Sequence, residues 1–142
     1  MRRLAALFLI AVLSVAGPAM AVADTVVARI SLSAQTMRVS VNGEPQYTWK
    51  VSTARRGYRT PTGIFTARWA SRYHRSRKYD NAPMPYAIFF KGGYAIHGTN
   101  EVRSLGRPVS HGCVRLHPDN AAIFFRLATS NGLANTKIII AR

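Results

Sequence analysis

The chain has 142 residues, with 20 Lys and Arg against 5 Asp and Glu and a formal net charge of +15. That length holds one domain with a real hydrophobic core, and so large a positive surplus implies an anionic partner. Cys113 is the single cysteine, which excludes an intramolecular disulfide and leaves a partner bridge, a buried apolar side chain or a reactive thiol.

The first element in chain order is an export signal. Met1-Arg2-Arg3 precedes an apolar run from Leu4 to Ala16, Gly17-Pro18 breaks it, and Ala19-Met20-Ala21 and Ala21-Val22-Ala23 follow. A basic start, a short apolar run and a small-x-small site describe a secretory signal peptide over residues 1–23. The run is shorter than the roughly 20 residues that span a bilayer. The expectation is therefore a protein exported to the periplasm or cell envelope, cleaved before Val22 or Asp24. After cleavage it has no stable membrane anchor. Export argues against nucleic acid as the anionic partner and leaves an acidic wall polymer or a membrane surface. Residues 24–142 are expected to form one domain, without a linker or a separate wall-binding module.

Val26 to Ser33 reads as a strand with Val26, Ala28, Ile30 and Leu32 on one face, and Thr36 to Val41 as a second with Met37, Val39 and Val41 alternating. Ser33-Ala34-Gln35 is the expected turn between them. Asn42-Gly43 is a stronger turn signal, since both residues accept positive φ, and it leads to a third strand from Tyr47 to Ser52. Ile64 to Trp69 is an expected fourth strand. Ala70 to Pro85, rich in Arg and Tyr, reads as a long irregular loop and a candidate flap over substrate, with His74 at its surface. Tyr86 to Phe90 and Tyr94 to His97 form a hairpin around Lys91-Gly92-Gly93. Pro118 to Ser130 has helical spacing, Pro118 in its first turn and Gly132 past its end. Thr136 to Ala141 is a last β-branched strand. The total is about seven strands and one helix. The class is mainly β, a sandwich or closed sheet with one packed helix.

The chemistry concentrates between His97 and Leu116. Cys113 lies in Ser110-His111-Gly112-Cys113-Val114-Arg115, with Arg107 and Arg115 as local positive charge. A thiol, an imidazole and nearby cations are what a nucleophilic cysteine needs, because the thiolate is the reactive form. Two histidines compete as its base. His111 is two residues away and shares its face if the segment is extended. His97 ends a strand and approaches only through the fold. Gly98 and Gly112 would let the backbone approach substrate closely, and the N–H groups of Gly112 and Cys113 would meet an oxyanion. The pattern describes acyl transfer through a thioester. Zinc is the competing reading, from His97, His111, Cys113 and His117, but that spacing matches no standard site and four ligands would silence the thiol. No metal and no cofactor are expected, and His117 reads as a helix cap.

His97-Gly98-Thr99, twelve intervening residues counted from Gly98 to Val109, and Ser110-His111-Gly112-Cys113-Val114-Arg115 together resemble the signature of the L,D-transpeptidases, the YkuD domain. The opening hairpins, Thr60-Pro61-Thr62-Gly63 and the helix after the cysteine fall where that family has them. The resemblance implies a β-sandwich-like catalytic domain over residues 24–142 that remodels peptidoglycan. It implies attack of Cys113 on the amide between the third stem residue, usually diaminopimelate, and the terminal D-Ala of a tetrapeptide stem. An amine then takes the acyl group, giving a 3→3 cross-link or a protein anchored to the wall. By the same carry-over His97 is general base and acid, the Gly98 carbonyl orients it, and His111 shapes the site. Ser110 organises the segment, Arg115 meets a stem carboxylate, and Thr99 and Tyr94 line the substrate site. Donor and acceptor stems are the implied partners. Hydrolysis by the same cysteine, as a carboxypeptidase or endopeptidase, and a non-catalytic basic wall-binding protein are the alternatives.

Overall fold

The computed structural model describes residues 25–142, together with positions 14 and 16–18. The expected signal peptide, residues 1–23, lies otherwise outside the described residues. Among the described residues nine strands form two sheets: β1 Val26–Ser31, β2 Thr36–Val41, β3 Glu44–Lys50, β4 Gly63–Thr66, β5 Trp69–Arg75, β6 Pro83–Lys91, β7 Tyr94–Gly98, β8 Val114–Leu116 and β9 Thr136–Ala141. The five-stranded sheet runs β3-β2-β1-β9-β4 and the four-stranded sheet β5-β6-β7-β8. The β1–β9 and β7–β8 pairs are parallel and the rest antiparallel.

Alternation builds the core. Val26, Ala28 and Ile30 of β1, Met37 and Val39 of β2, and Ile138 and Ile140 of β9 turn inward. They meet Ile88 and Phe90 of β6, Ile96 of β7, and Val114 and Leu116 of β8 from the other sheet. The helix α1, Pro118–Asn131, packs against β6 and β7 through Ala121, Phe124 and Ala128. His117 caps it by accepting the Asp119 N–H at 3.2 Å, and Gly132 ends it at φ 94°, as its sequence signals predict. Asn42 (φ 50°) and Gly43 (φ 80°) make the tight β2–β3 turn.

Three expectations change. The expected total of about seven strands becomes nine among the described residues, with β5 and β8 added. The single strand Ile64 to Trp69 is two strands in different sheets. Ala67 N–H donates to Thr136 O of β9 at 3.0 Å and Arg68 N–H to Phe89 O of β6 at 2.8 Å, so the chain changes sheet between adjacent residues. The stretch Ala70 to Pro85 is not an irregular loop. It is most of β5, a tight tip and the start of β6, with Tyr73 opposite Pro85 and Arg75 opposite Pro83. Its charged, weakly alternating residues hid it because β5 is an edge strand with polar and apolar residues mixed on both faces. The prolines fit because the β6–β7 pairing covers only the later part of β6, so Pro83 and Pro85 need no donor on that side.

Candidate active site

The outer face of the four-stranded sheet carries a cavity of about 910 Å³. Residues that alternate with the core set point to it. Ala87 and Phe89 of β6 and Ala95 of β7 form a small apolar cluster there with Met84, and Cys113 packs on it. His97 lies two residues beyond Ala95 and shares its face. Parallel register pairs Ile96 with Val114 and His97 with Arg115. One residue back along that register, Cys113 stands beside Ala95 and diagonal to His97 on the same face. Tyr94, His97, Thr99, Ser110, His111, Cys113 and Arg115 all line the cavity. Gly98 and Gly112 act from behind it.

His97 is buried, and its Nδ1 lies 2.7 Å from Gly98 O. A carbonyl only accepts, so Nδ1 carries the proton of the neutral ring and Nε2 keeps a free lone pair. Burial, first, and the positive charge of Arg115 lower its pKa to about 4, against the raising effect of the Gly98 bond. The ring is therefore neutral at pH 7. Burial also pushes the Cys113 thiol above its ordinary value, outweighing the Ala95 backbone hydrogen bond and Arg115, which pull it down. Its Sγ points toward Gly93 O at 3.7 Å. Local arginines thus do not make a standing thiolate, contrary to the expectation from the motif. Arg115 is ion-paired with Glu101 at 3.3 Å, and desolvation decides the balance.

The cysteine loop is held by hydroxyls and by one buried segment. Ser110 Oγ donates to Cys113 O at 2.7 Å and accepts Gly112 N–H at 3.1 Å. Thr60 Oγ1 donates to Gly112 O at 2.8 Å and accepts Ala54 N–H at 3.0 Å. Residues 52–55 run beside the loop, exchanging backbone hydrogen bonds between Ser52 and Arg115, from Ser110 to Thr53 and from Arg55 to Ser110. Ser52 Oγ sits 2.8 and 2.7 Å from the carbonyls of Ser104 and Arg107. Gln35 secures the segment from below, its side chain bonded to both N–H and Oγ1 of Thr53. Sequence reasoning passed over Gln35, Ser52 and Thr53, polar residues with no pattern. Thr60 had one signal, its place in Thr60-Pro61-Thr62-Gly63.

The glycines serve packing rather than open access to substrate. A Cβ at Gly98 would meet Pro85 Cγ at 3.1 Å and the Cα of Pro118 at 3.2 Å. Gly112, at φ 139°, would meet the Tyr94 ring at 2.6 Å and Arg59 O at 3.0 Å. Its N–H is paired with Ser110 in the resting structure. His111 does not sit in an extended strand with Cys113. Its ring stacks on Tyr79 of the β5–β6 tip at 4.2 Å and tilts against Tyr58 at 4.8 Å, so the tip leans over the cavity through His111. Desolvation, then Arg55 and Arg115, lower the pKa of His111. His74, expected at the surface, is half-buried beside Trp69 and Phe89. Among the described residues no three His, Cys, Asp or Glu side chains converge as a metal site.

A model of the YkuD family, the L,D-transpeptidase catalytic domain, matches residues 25–140. YkuD of Bacillus subtilis, named as a candidate L,D-transpeptidase, is 33% identical over 92 residues, which is 62% of this chain and 51% of that protein. An L,D-transpeptidase from Mycobacterium smegmatis superposes at a TM-score of 0.73 and 28% identity, over 84% of this chain and 59% of that one. L,D-transpeptidase 3 of Mycobacterium tuberculosis, 20% identical, shares the fold at a TM-score of 0.75 over 84% of this chain and 62% of its own. This chain spans about half the length of its Bacillus relative.

Proposed function

The chain belongs to the family of L,D-transpeptidase catalytic domains, and from that premise we propose that it is a cysteine acyltransferase of the bacterial cell wall, exported to the periplasm or cell envelope by its N-terminal signal. Its donor is a tetrapeptide stem, cut at the bond between diaminopimelate and the terminal D-Ala. Its acceptor is an amine on a second stem or on a protein anchored to the wall.

The observation that carries this reading is the Nδ1 bond of His97 to Gly98 O, which frees Nε2 on the face that bears Cys113. The resting pair is neutral, thiol beside imidazole, so attack and proton transfer go together. As Sγ adds to the stem carbonyl, its proton passes to Nε2 of His97. The oxyanion takes the N–H of Cys113 and draws on that of Gly112, shared at rest with Ser110. Collapse breaks the C–N bond, and His97 returns the proton to the departing D-Ala amine. A thioester on Cys113 remains. The acceptor amine adds to it, gives its proton to His97 and expels the sulfur, which is reprotonated. Arg115, with Glu101 beside it, orients a stem carboxylate, and Tyr94 and Thr99 bound the space.

The test is the mature protein incubated with tetrapeptide stems and its products weighed. A cross-linked dimer with release of D-Ala is the expected result. Tripeptide alone assigns hydrolysis, the same acyl-enzyme taken by water. No change in the stems, and none in a Cys113→Ala control, returns the chain to a basic wall-binding protein.

A further inference from the structure

The cavity continues from the cysteine to an aromatic end that the chemistry above does not use. Across the outer face of the four-stranded sheet, Trp69 pairs with Phe89 and Phe89 with Ala95, beside which Cys113 stands. Three interstrand steps separate the first and last of this row, about 14 Å. Trp69 lies flat on Phe89, ring centroids 3.8 Å apart and planes within 1°. His74 stands at 74° to both rings. One indole face is thus covered and Phe89 is buried beneath it, yet Trp69 remains 44% exposed and lines the cavity. Trp69 therefore offers an open indole face inside the cavity, backed by Phe89 and held edge-on by His74. The imidazole nitrogens of His74 make no hydrogen bond among the described residues, and His74 lines the same cavity.

We propose that Trp69 is the platform of a sugar subsite, on which a pyranose ring of the glycan that bears the donor stem stacks its C–H face. His74, beside the indole, meets its hydroxyl groups. The assignment rests on the stem-cleaving reading and extends it from peptide to glycan. The distance fits. The scissile carbonyl belongs to the third stem residue, and three extended residues reach about 11 Å. That places the first sugar one linkage further, over Trp69. A pyranose offers an apolar C–H face and polar rim, which an indole with nearby donors matches. A peptide side chain would not need both.

Two measurements test it. The first compares kcat/KM for a disaccharide-tetrapeptide with that for the same free tetrapeptide. The wild-type preference for the disaccharide form is expected to fall about fivefold to tenfold in Trp69→Ala and to be largely retained in Trp69→Phe. An unchanged ratio in Trp69→Ala overturns the subsite, whatever happens to the separate rates. The second needs no turnover. In Cys113→Ala protein, the peptide-free disaccharide of N-acetylglucosamine and N-acetylmuramic acid is titrated while the two indole N–H signals are followed by NMR. A saturable shift of the Trp69 signal, with Trp49 unmoved, supports the subsite even if no stem is turned over. No shift at Trp69 up to millimolar sugar overturns it, even if transpeptidation is intact.

Discussion

At the scale of single residues, the site depends on a competition between desolvation and charge. The motif places arginines near Cys113, and charge counting alone makes a thiolate. Burial reverses that outcome because the sulfur rests on Ala95, Ala87 and Phe89 while Arg115 already faces Glu101. The alkylation of Cys113 by iodoacetamide is therefore expected to be slow at pH 7 and to keep rising past pH 9. A rate already at its plateau at pH 7 would show a standing ion pair instead. Gly112 is a second residue with a sharp consequence. Replacing it with Ala puts a Cβ 2.6 Å from the Tyr94 ring at a φ that L residues rarely adopt. Gly112→Ala should lose about 2 kcal/mol or more in urea unfolding and most of its activity. Wild-type stability in that variant would show that the loop relaxes freely.

At the scale of elements, the β7–β8 pair, the Cys113 loop and residues 52–55 act as one unit. Parallel register sets His97 against Arg115, and hydroxyls hold the loop between them. Thr60 donates to Gly112 O from a segment fifty-two residues away. Thr60→Val keeps the shape and leaves that buried carbonyl and the Ala54 N–H unpaired, at about 1–3 kcal/mol. Thr60→Val is expected to cut kcat more than it raises KM, with Thr60→Ser restoring most of the rate. Equal kcat in Thr60→Val and wild type would mean that the loop holds its shape without this pin. The β5–β6 hairpin is the element that the sequence concealed. Its tip closes on its own hydrogen bonds, from Ser76 N–H to Ala82 O and from Ala82 N–H to Tyr79 O. It then reaches the site through Tyr79 on His111.

At the scale of the whole molecule, one buried histidine links stability to pH. His97 titrates near 6.5 when unfolded and at about 4 when folded, so the unfolded chain binds the extra proton between those values. Its contribution is complete above pH 6.5 and is lost as pH falls toward 4. At pH 5 the loss is about 2 kcal/mol. Urea midpoints measured at pH 7 and pH 5 should show it, and His97→Gln should remove most of the difference. A pH 5 drop as large in His97→Gln would assign it to other groups.

Much of this molecule was legible in its residues, and the reason differs from feature to feature. Strands such as β1, β2 and β9 announce themselves because one face is dry and the other wet, and α1 because Pro118 and Gly132 mark its ends. The strand Trp69–Arg75 carries no such contrast, being an edge strand whose residues are all half-buried or exposed. Its reading as a loop followed from the same rule that succeeded elsewhere. The cluster of His97, Gly98, His111 and Cys113 was visible as a rare string at a telling interval, with the family that it indicates. The linear chain left two histidines equally placed beside one thiol. Only the folded sheet puts His97 on the face of Cys113 with Nδ1 tied to Gly98, and turns His111 toward Tyr79. Only packing reveals whether charge or dryness governs the sulfur. Order along the chain dictates local periodicity and turn chemistry, because both act between neighbours. Orientation, protonation and cavity walls come from residues far apart in number, because dielectric and hydrogen-bond partners are properties of the space that the fold encloses.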